Sequence, residues 1–170
     1  MTRHRTVGQS LDRGPSFTFH EVAPGLYQGD FPDGDVDWDH FDDVISMTTD
    51  PLPRVRLRAD GLWLQVPILD DEMTDPVGVR NAALTAAERV GAGRRVLVHC
   101  WAGLNRSGVV TARALMAMGA SVTEAIAAVR ESRGPYALSN RAFVEWLYEE
   151  AGEPVPEMER WRDYGAAMSQ

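Results

Sequence analysis

The chain has a single cysteine, Cys100, and the residues around it are the ones best suited to chemistry. It lies in "RRVLVHCWAGLNRSGVV", residues 94–110, between a short apolar run and a loop that ends in Arg106, Ser107 and Gly108. The run "RRVLVH" (94–99) predicts a strand buried on both faces. The segment after the loop, "RSGVVTARALMAMGA", has helical spacing, so the loop should enter a helix N-terminus near Arg106. Backbone N–H groups converge at such a junction and the helix dipole favours an anion. Gly103 allows a tight curl with positive φ where the loop needs one. Arg106 adds a planar fork that matches two oxygens of a phosphate. A thiol at this position, beside an arginine and His99, is expected as a thiolate and therefore as a nucleophile. A sulfur anion facing a cradle for a tetrahedral dianion points to nucleophilic phosphoryl transfer. Taken singly, each residue has a plainer reading: a lone cysteine is usually a small buried hydrophobe. His99 alone would be a core histidine, Arg106 a helix-surface residue, and Trp101 and Leu104 packing. Their common spacing changes that balance.

The loop "HCWAGLNRSG" resembles the signature of the protein tyrosine phosphatase superfamily, His-Cys-x5-Arg-Ser/Thr, with His99, Cys100, Gly103, Arg106 and Ser107 on the family positions. The resemblance implies that Cys100 attacks phosphorus to form a phosphocysteine. It implies that Trp101, Ala102, Gly103, Leu104, Asn105 and Arg106 bind the phosphate, with Arg106 on the equatorial oxygens. Ser107 would hydrogen-bond the sulfur and help it leave, and His99 would position and tune it. An aspartate on a loop upstream should protonate the leaving group. "VPILDDEMTD" is similar to the apolar-Pro-apolar-x-Asp pattern at Val66, Pro67, Ile68 and Asp70, which makes Asp70 the candidate acid. Asp71 is an alternative, and Asp75 reads as a helix cap. The acid precedes the cysteine loop, as in the dual-specificity branch, which excludes the low-molecular-weight branch. "VAPGLYQGD" (22–30) and "SRGPYALSNRAFVEWL" (132–147) are also similar to dual-specificity patterns, so the resemblance extends over roughly residues 22–150.

The elements that must hold these residues alternate along the chain. "FTFHEV" (17–22), "GLYQG" (25–29), "DVISMT" (43–48) and "LWLQVPI" (62–68) read as strands besides 94–99. "DPVGVRNAALTAAERVGAG" reads as a helix with Asp75 as N-cap and Pro76 in its first turn. "SVTEAIAAVRESRG" opens with a capping-box pattern from Ser121 to Glu124, and "SNRAFVEWLYEEAG" gives a further helix. A short helix within 157–167 is also possible on the pattern. The expected fold is α/β, a single domain with a central, largely parallel mixed sheet of four to five strands flanked by helices on both faces. Residues 1–15 read as a flexible arm, 16–151 as the catalytic domain, and 152–170 as an extension of unknown role.

Composition narrows the function. A chain of 170 residues, 44% hydrophobic, fits one globular domain with a real core. No apolar run nears the ~18 residues of a membrane helix, and "MTRHRTVGQSLDRGPS" lacks the apolar segment of a secretion signal. A single cysteine cannot form an internal disulfide, which fits a cytoplasmic chain. The net charge of −8 argues against a nucleic-acid partner. All 17 cationic residues are arginine, which removes Walker-type and Schiff-base lysine chemistry.

His4, His20, His40 and His99 have no ligand-spaced neighbours, so no metal or other cofactor is expected. "DFPDGDVDWDHFDD" (30–43) reads as an acidic surface loop rather than a calcium site. Arg54, Arg56 and Arg58 in "RVRLR" read as an edge strand with protective charges. The expected activity is metal-independent hydrolysis of phosphomonoesters, phosphotyrosine and also phosphoserine or phosphothreonine, on a phosphorylated protein or a small substrate. The alternatives are a phosphate-binding pseudophosphatase, an RNA 5′-triphosphate or phosphoinositide phosphatase, and a rhodanese-like sulfur transferase, whose loop spacing fits less well.

Overall fold

The computed structural model describes residues 17–32, 36–51 and 56–160. Strands β1 (Phe19–Ala23), β2 (Leu26–Gly29), β3 (Asp43–Ser46), β4 (Trp63–Gln65) and β5 (Val96–His99) form one sheet in the order β1-β2-β5-β3-β4. β1 and β2 are an antiparallel hairpin, and every other pairing is parallel. β5 lies at the centre with all four residues buried. That is why its sequence is a continuous apolar run rather than an alternation.

The long helices are α1 (Pro76–Gly91), α2 (Arg106–Ala117), α3 (Val122–Arg133) and α4 (Arg141–Ala151), followed by the short α5 (Glu157–Arg160). Each start has a local cause. Asp75 accepts from the Gly78 N–H at 2.8 Å before α1, with Pro76 next in line. Ser121 and Glu124 form a reciprocal capping box on α3, and the Asn140 side chain caps α4. Gly152, left-handed at φ 68°, ends α4.

The two faces of the sheet are covered differently. Ile45, Val96 and Val98 pack with apolar residues of all four long helices in the main core. On the other face Val44 and Leu97 meet Phe19, Trp38 and Phe41, an aromatic cluster supported by a 3-10 turn over Trp38–His40. Among the described residues the helical cover on this second face is one short turn, with rings supplying the volume that a helix would otherwise fill.

Three sequence readings change here. Asp42 and Asp43, the last acids of the "acidic loop", are buried anchors. Asp43 receives Arg89 Nε at 2.8 Å, Arg94 Nη2 at 3.1 Å and the Leu62 N–H at 2.8 Å. Arg56 and Arg58 lie in irregular chain rather than an edge strand, and Arg58 pairs with Asp60 at 3.5 Å. In the described part of the extension after Gly152, Val155 packs against the core and Glu159 receives Arg130 Nη1 at 2.6 Å and Nη2 at 3.0 Å. The arm at 1–15, residues 33–35, Arg54 and residues 161–170 lie outside the described residues. No helix among the described residues is long and apolar enough to cross a membrane.

Candidate active site

Cys100 follows β5 directly, at the carboxyl end of the central strand, and the loop from Trp101 leads into α2 at Arg106. The direction of each peptide in this loop is fixed from outside. The Trp101 carbonyl accepts from Phe31 N at 3.0 Å, and the Leu104 carbonyl from Leu138 N at 3.3 Å. The Gly103 carbonyl accepts from Gln28 Nε2 at 2.9 Å and Arg133 Nε at 3.0 Å, while Ala102 takes Arg133 Nη2 at 3.4 Å. The Asn105 carbonyl accepts from Val109 N at 2.9 Å as α2 begins. With these carbonyls engaged outside, none of the six N–H groups from Trp101 to Arg106 donates to a protein acceptor among the described residues. A run of N–H groups without a protein acceptor, leading from a cysteine into a helix N-terminus, suits an anion. Arg106 Nε is also buried without a partner among the described residues.

Gly103 makes the curl possible. Its φ is +67°, and an added Cβ would lie 2.6 Å from the backbone of both Gly29 and Asp30. Only glycine fits.

Cys100 is 2% exposed, with Sγ 3.3 Å from the buried Ser107 Oγ. His99 is fully buried, and that burial pushes its imidazole down to about 4, a Cys100 backbone contact opposing it. At neutral pH His99 is therefore uncharged, so it supplies no cation to the sulfur; any tuning must come through packing and the backbone. Arg133 is the second guanidinium near the sulfur. Burial pushes it down from its ordinary value, and the charges of Asp30 and Cys100 oppose the shift.

Trp101 is half-exposed at the rim. Its ring stacks on Phe31 with centroids 4.4 Å apart, and its Nε1 donates to Asp50 at 3.1 Å. Leu104 packs against the main core. Asp70 Oδ2 accepts from Asn105 Nδ2 at 3.2 Å, so its carboxylate touches the loop itself. Among the described residues Asp71 is tied through its carbonyl, which accepts from Asn140 Nδ2 at 2.8 Å, and not through its carboxylate. Sequence reasoning passed over Gln28, whose signal is a polar residue in a strand with no solvent to face. It saw Arg133 and Asn140 only as parts of a segment. Among the described residues no group of three or more His, Cys, Asp or Glu is arranged to hold a metal.

A family model, "Dual specificity phosphatase, catalytic domain", matches residues 35–152. The chain belongs to the dual-specificity phosphatase catalytic-domain family. A dual-specificity protein phosphatase of Drosophila melanogaster, Mpk3, is 35% identical over 106 residues, covering 61% of this chain but only 26% of the relative. The chain thus spans about a quarter of that relative's length. Among solved structures, a mouse putative dual-specificity phosphatase complexed with zinc tungstate superposes with a TM-score of 0.70 at 25% identity, covering 86% of this chain and 93% of the other. Human DUSP28 shares the fold, with a TM-score of 0.66 at 23% identity over 79% of this chain and 93% of the other. Within this dual-specificity phosphatase frame, the loop at 99–107 is the segment where fold, free amides and a sulfur coincide.

Proposed function

We propose that this chain is a cysteine-dependent phosphatase that hydrolyses phosphomonoesters through a phosphocysteine, acting on phosphotyrosine and also on phosphoserine or phosphothreonine. The observation that carries this reading is the run of N–H groups from Trp101 to Arg106 without a protein acceptor among the described residues, with the buried Arg106 Nε, in the loop that follows Cys100. Those donors suit the oxygens of a phosphoryl group whose negative charge shifts as bonds exchange.

In the first step the Cys100 thiolate attacks phosphorus, the ester P–O bond breaks, and Asp70 gives its proton to the leaving oxygen. In the second, a water oxygen attacks phosphorus, the P–S bond breaks, and Asp70 takes the water proton. The thiolate is restored and inorganic phosphate leaves, so the net change is ester plus water to alcohol plus phosphate. Ser107 Oγ, 3.3 Å from the sulfur, donates to it as negative charge returns. The contact from Asn105 supports Asp70 over Asp71 as the acid and base. The half-exposed Trp101 ring supports aryl esters as substrates, while a loop without lysine fits a single phosphate better than a polyphosphorylated headgroup. Sulfur is the nucleophile in this scheme, so no metal or cofactor takes part.

Turnover of p-nitrophenyl phosphate should persist in EDTA, be blocked by vanadate, and vanish in Cys100→Ser. Turnover surviving in Cys100→Ser would refute the assignment. Asp70→Ala should slow phenyl phosphate by about 100-fold or more, because a poor leaving group needs the proton, and a good leaving group far less.

A further inference from the structure

Asn105 occupies the N-cap position of α2, yet its side chain makes no capping hydrogen bond to its own helix. Asparagine is among the best capping residues, so another set of partners must outweigh the cap. Asn105 Oδ1 accepts from Ser139 N at 2.8 Å, Ser139 Oγ at 3.1 Å and Asn140 N at 3.2 Å. Two backbone donors on one atom fix the orientation of the amide, so Nδ2 has to face the other way. There it donates to Asp70 Oδ2 at 3.2 Å. A second amide, Asn140 Nδ2, donates to Asp70 Oδ1 at 2.9 Å and to the Asp71 carbonyl at 2.8 Å. Asn140 Oδ1 meanwhile accepts from Phe143 N at 3.4 Å, which anchors that side chain on α4.

We propose that Asn105 is the positioning residue for Asp70, an amide of the phosphate loop that, with Asn140, seats the acid–base carboxylate against the cradle. This rests on the reading of Asp70 given above. A carboxylate has about four lone-pair sites, and the two amides occupy one on each oxygen. A proton can therefore enter or leave Asp70 while both contacts persist. Because one of the two donors belongs to the phosphate loop, the carboxylate is registered to the phosphoryl group itself and not merely to the loop that carries it. Misplacing a catalytic group by about 1 Å can cost on the order of 100-fold in rate.

The test is a double-mutant cycle with Asn105→Asp and Asp70→Ala, measured with phenyl phosphate. Asn105→Asp keeps the oxygen that Ser139 and Asn140 require, but loses the donor and sets a like charge against Asp70. It should lower kcat by about tenfold or more when Asp70 is present, and by less than about twofold in the Asp70→Ala background. Vanadate inhibition should stay within about twofold of the parent in Asp70→Ala and in Asn105→Gln, neither of which adds charge to the loop. An equal loss of kcat in both backgrounds, or a parallel loss of vanadate affinity in Asn105→Gln, would assign Asn105 a purely structural role and overturn the proposal. If Asp70→Ala alone leaves phenyl phosphate turnover unchanged, the acid assignment itself fails and the proposal falls with it. Asn105→Gln, which keeps the amide on a longer arm, gives a second reading. It should also slow phenyl phosphate in the Asp70 background only, and a loss common to both backgrounds counts against the proposal.

Discussion

Under the phosphate loop, His99 places an imidazole where water cannot reach it, with the Phe31 ring edge-on at 5.9 Å. Burial holds its pKa at about 4 against an ordinary 6.5. Between those values the unfolded chain binds a proton that the folded chain refuses. Stability should therefore decline as pH falls from about 6.5 to about 4 and lose nothing more from this group below that. The full shift corresponds to about 3 kcal/mol. Urea unfolding across this range should show the parent's advantage over His99→Gln narrowing by that order as pH falls. An advantage independent of pH would mean the imidazole is charged or exposed in the folded chain.

At the scale of elements, the loop is shaped from four directions: β2 through Gln28, the segment after β2 through Phe31, the last turn of α3 through Arg133, and the 134–140 turn through Leu138. Arg133 reaches furthest. Besides the Ala102 and Gly103 carbonyls, it donates to the Thr18 carbonyl at 3.3 Å and lies 2.9 Å from His20 Nδ1. Leu138 adopts φ 54°, uncommon for a side chain of its size. It is held there by its own N–H on Leu104 and by Arg130 Nη2 on its carbonyl at 3.2 Å. Removing Arg133 takes a charged donor from the carbonyls of the buried Gly103, of Ala102 and of Thr18. Arg133→Met should destabilise the fold by about 1.5–3 kcal/mol in urea titration. It should also weaken vanadate inhibition, because peptides no longer tied outward are free to turn a carbonyl into the cradle. Unchanged inhibition would show that the loop keeps its shape without α3.

For the molecule as a whole, the end of the sheet opposite the sulfur is closed by charge. Asp43 begins β3, Arg89 comes from the last turn of α1, and Arg94 lies two residues before β5. Burial alone would push Asp43 up, but hydrogen bonds from Arg89, Arg94 and the Leu62 N–H outweigh it and hold the carboxyl at about 2. That is below its ordinary 3.8, so the contribution is whole above about pH 4 and fades as pH falls through about 2. Glu150 adds to the same window: hydrogen bonding from Arg80, with Arg113 behind it, holds its carboxyl at about 2. Asp43→Ala should destabilise by about 3–5 kcal/mol at neutral pH, because two guanidinium groups lose a buried partner. Thermal melts from pH 7 to 2 should show this difference shrinking toward the acid end, and a difference constant with pH would contradict the linkage.

Much of this was legible in the chain. The spacing of Cys100, Gly103, Arg106 and Ser107, the continuous apolar run of β5 and the caps at Asp75 and Ser121 are local patterns. Neighbours in sequence fix them, because backbone geometry repeats every two residues in a strand and about 3.6 in a helix. The contacts that shape the site are not local. Gln28 to Gly103 spans 75 residues, Arg133 to Gly103 spans 30, and Asn140 to Asp70 spans 70. No periodicity links such positions, so the sequence pattern favoured Asp70 over Asp71 by resemblance but could not show which carboxylate touches the cysteine loop. The acids at 42 and 43 looked solvated for the same reason, since their arginine partners come from elements the sheet brings together only on folding. Residue types and spacing along the chain determined that the one cysteine sits in a glycine-containing loop between a buried strand and a helix. The tertiary structure alone decided which carboxylate meets that loop and which side chains turn its carbonyls away, because those pairings form only when distant segments are packed side by side.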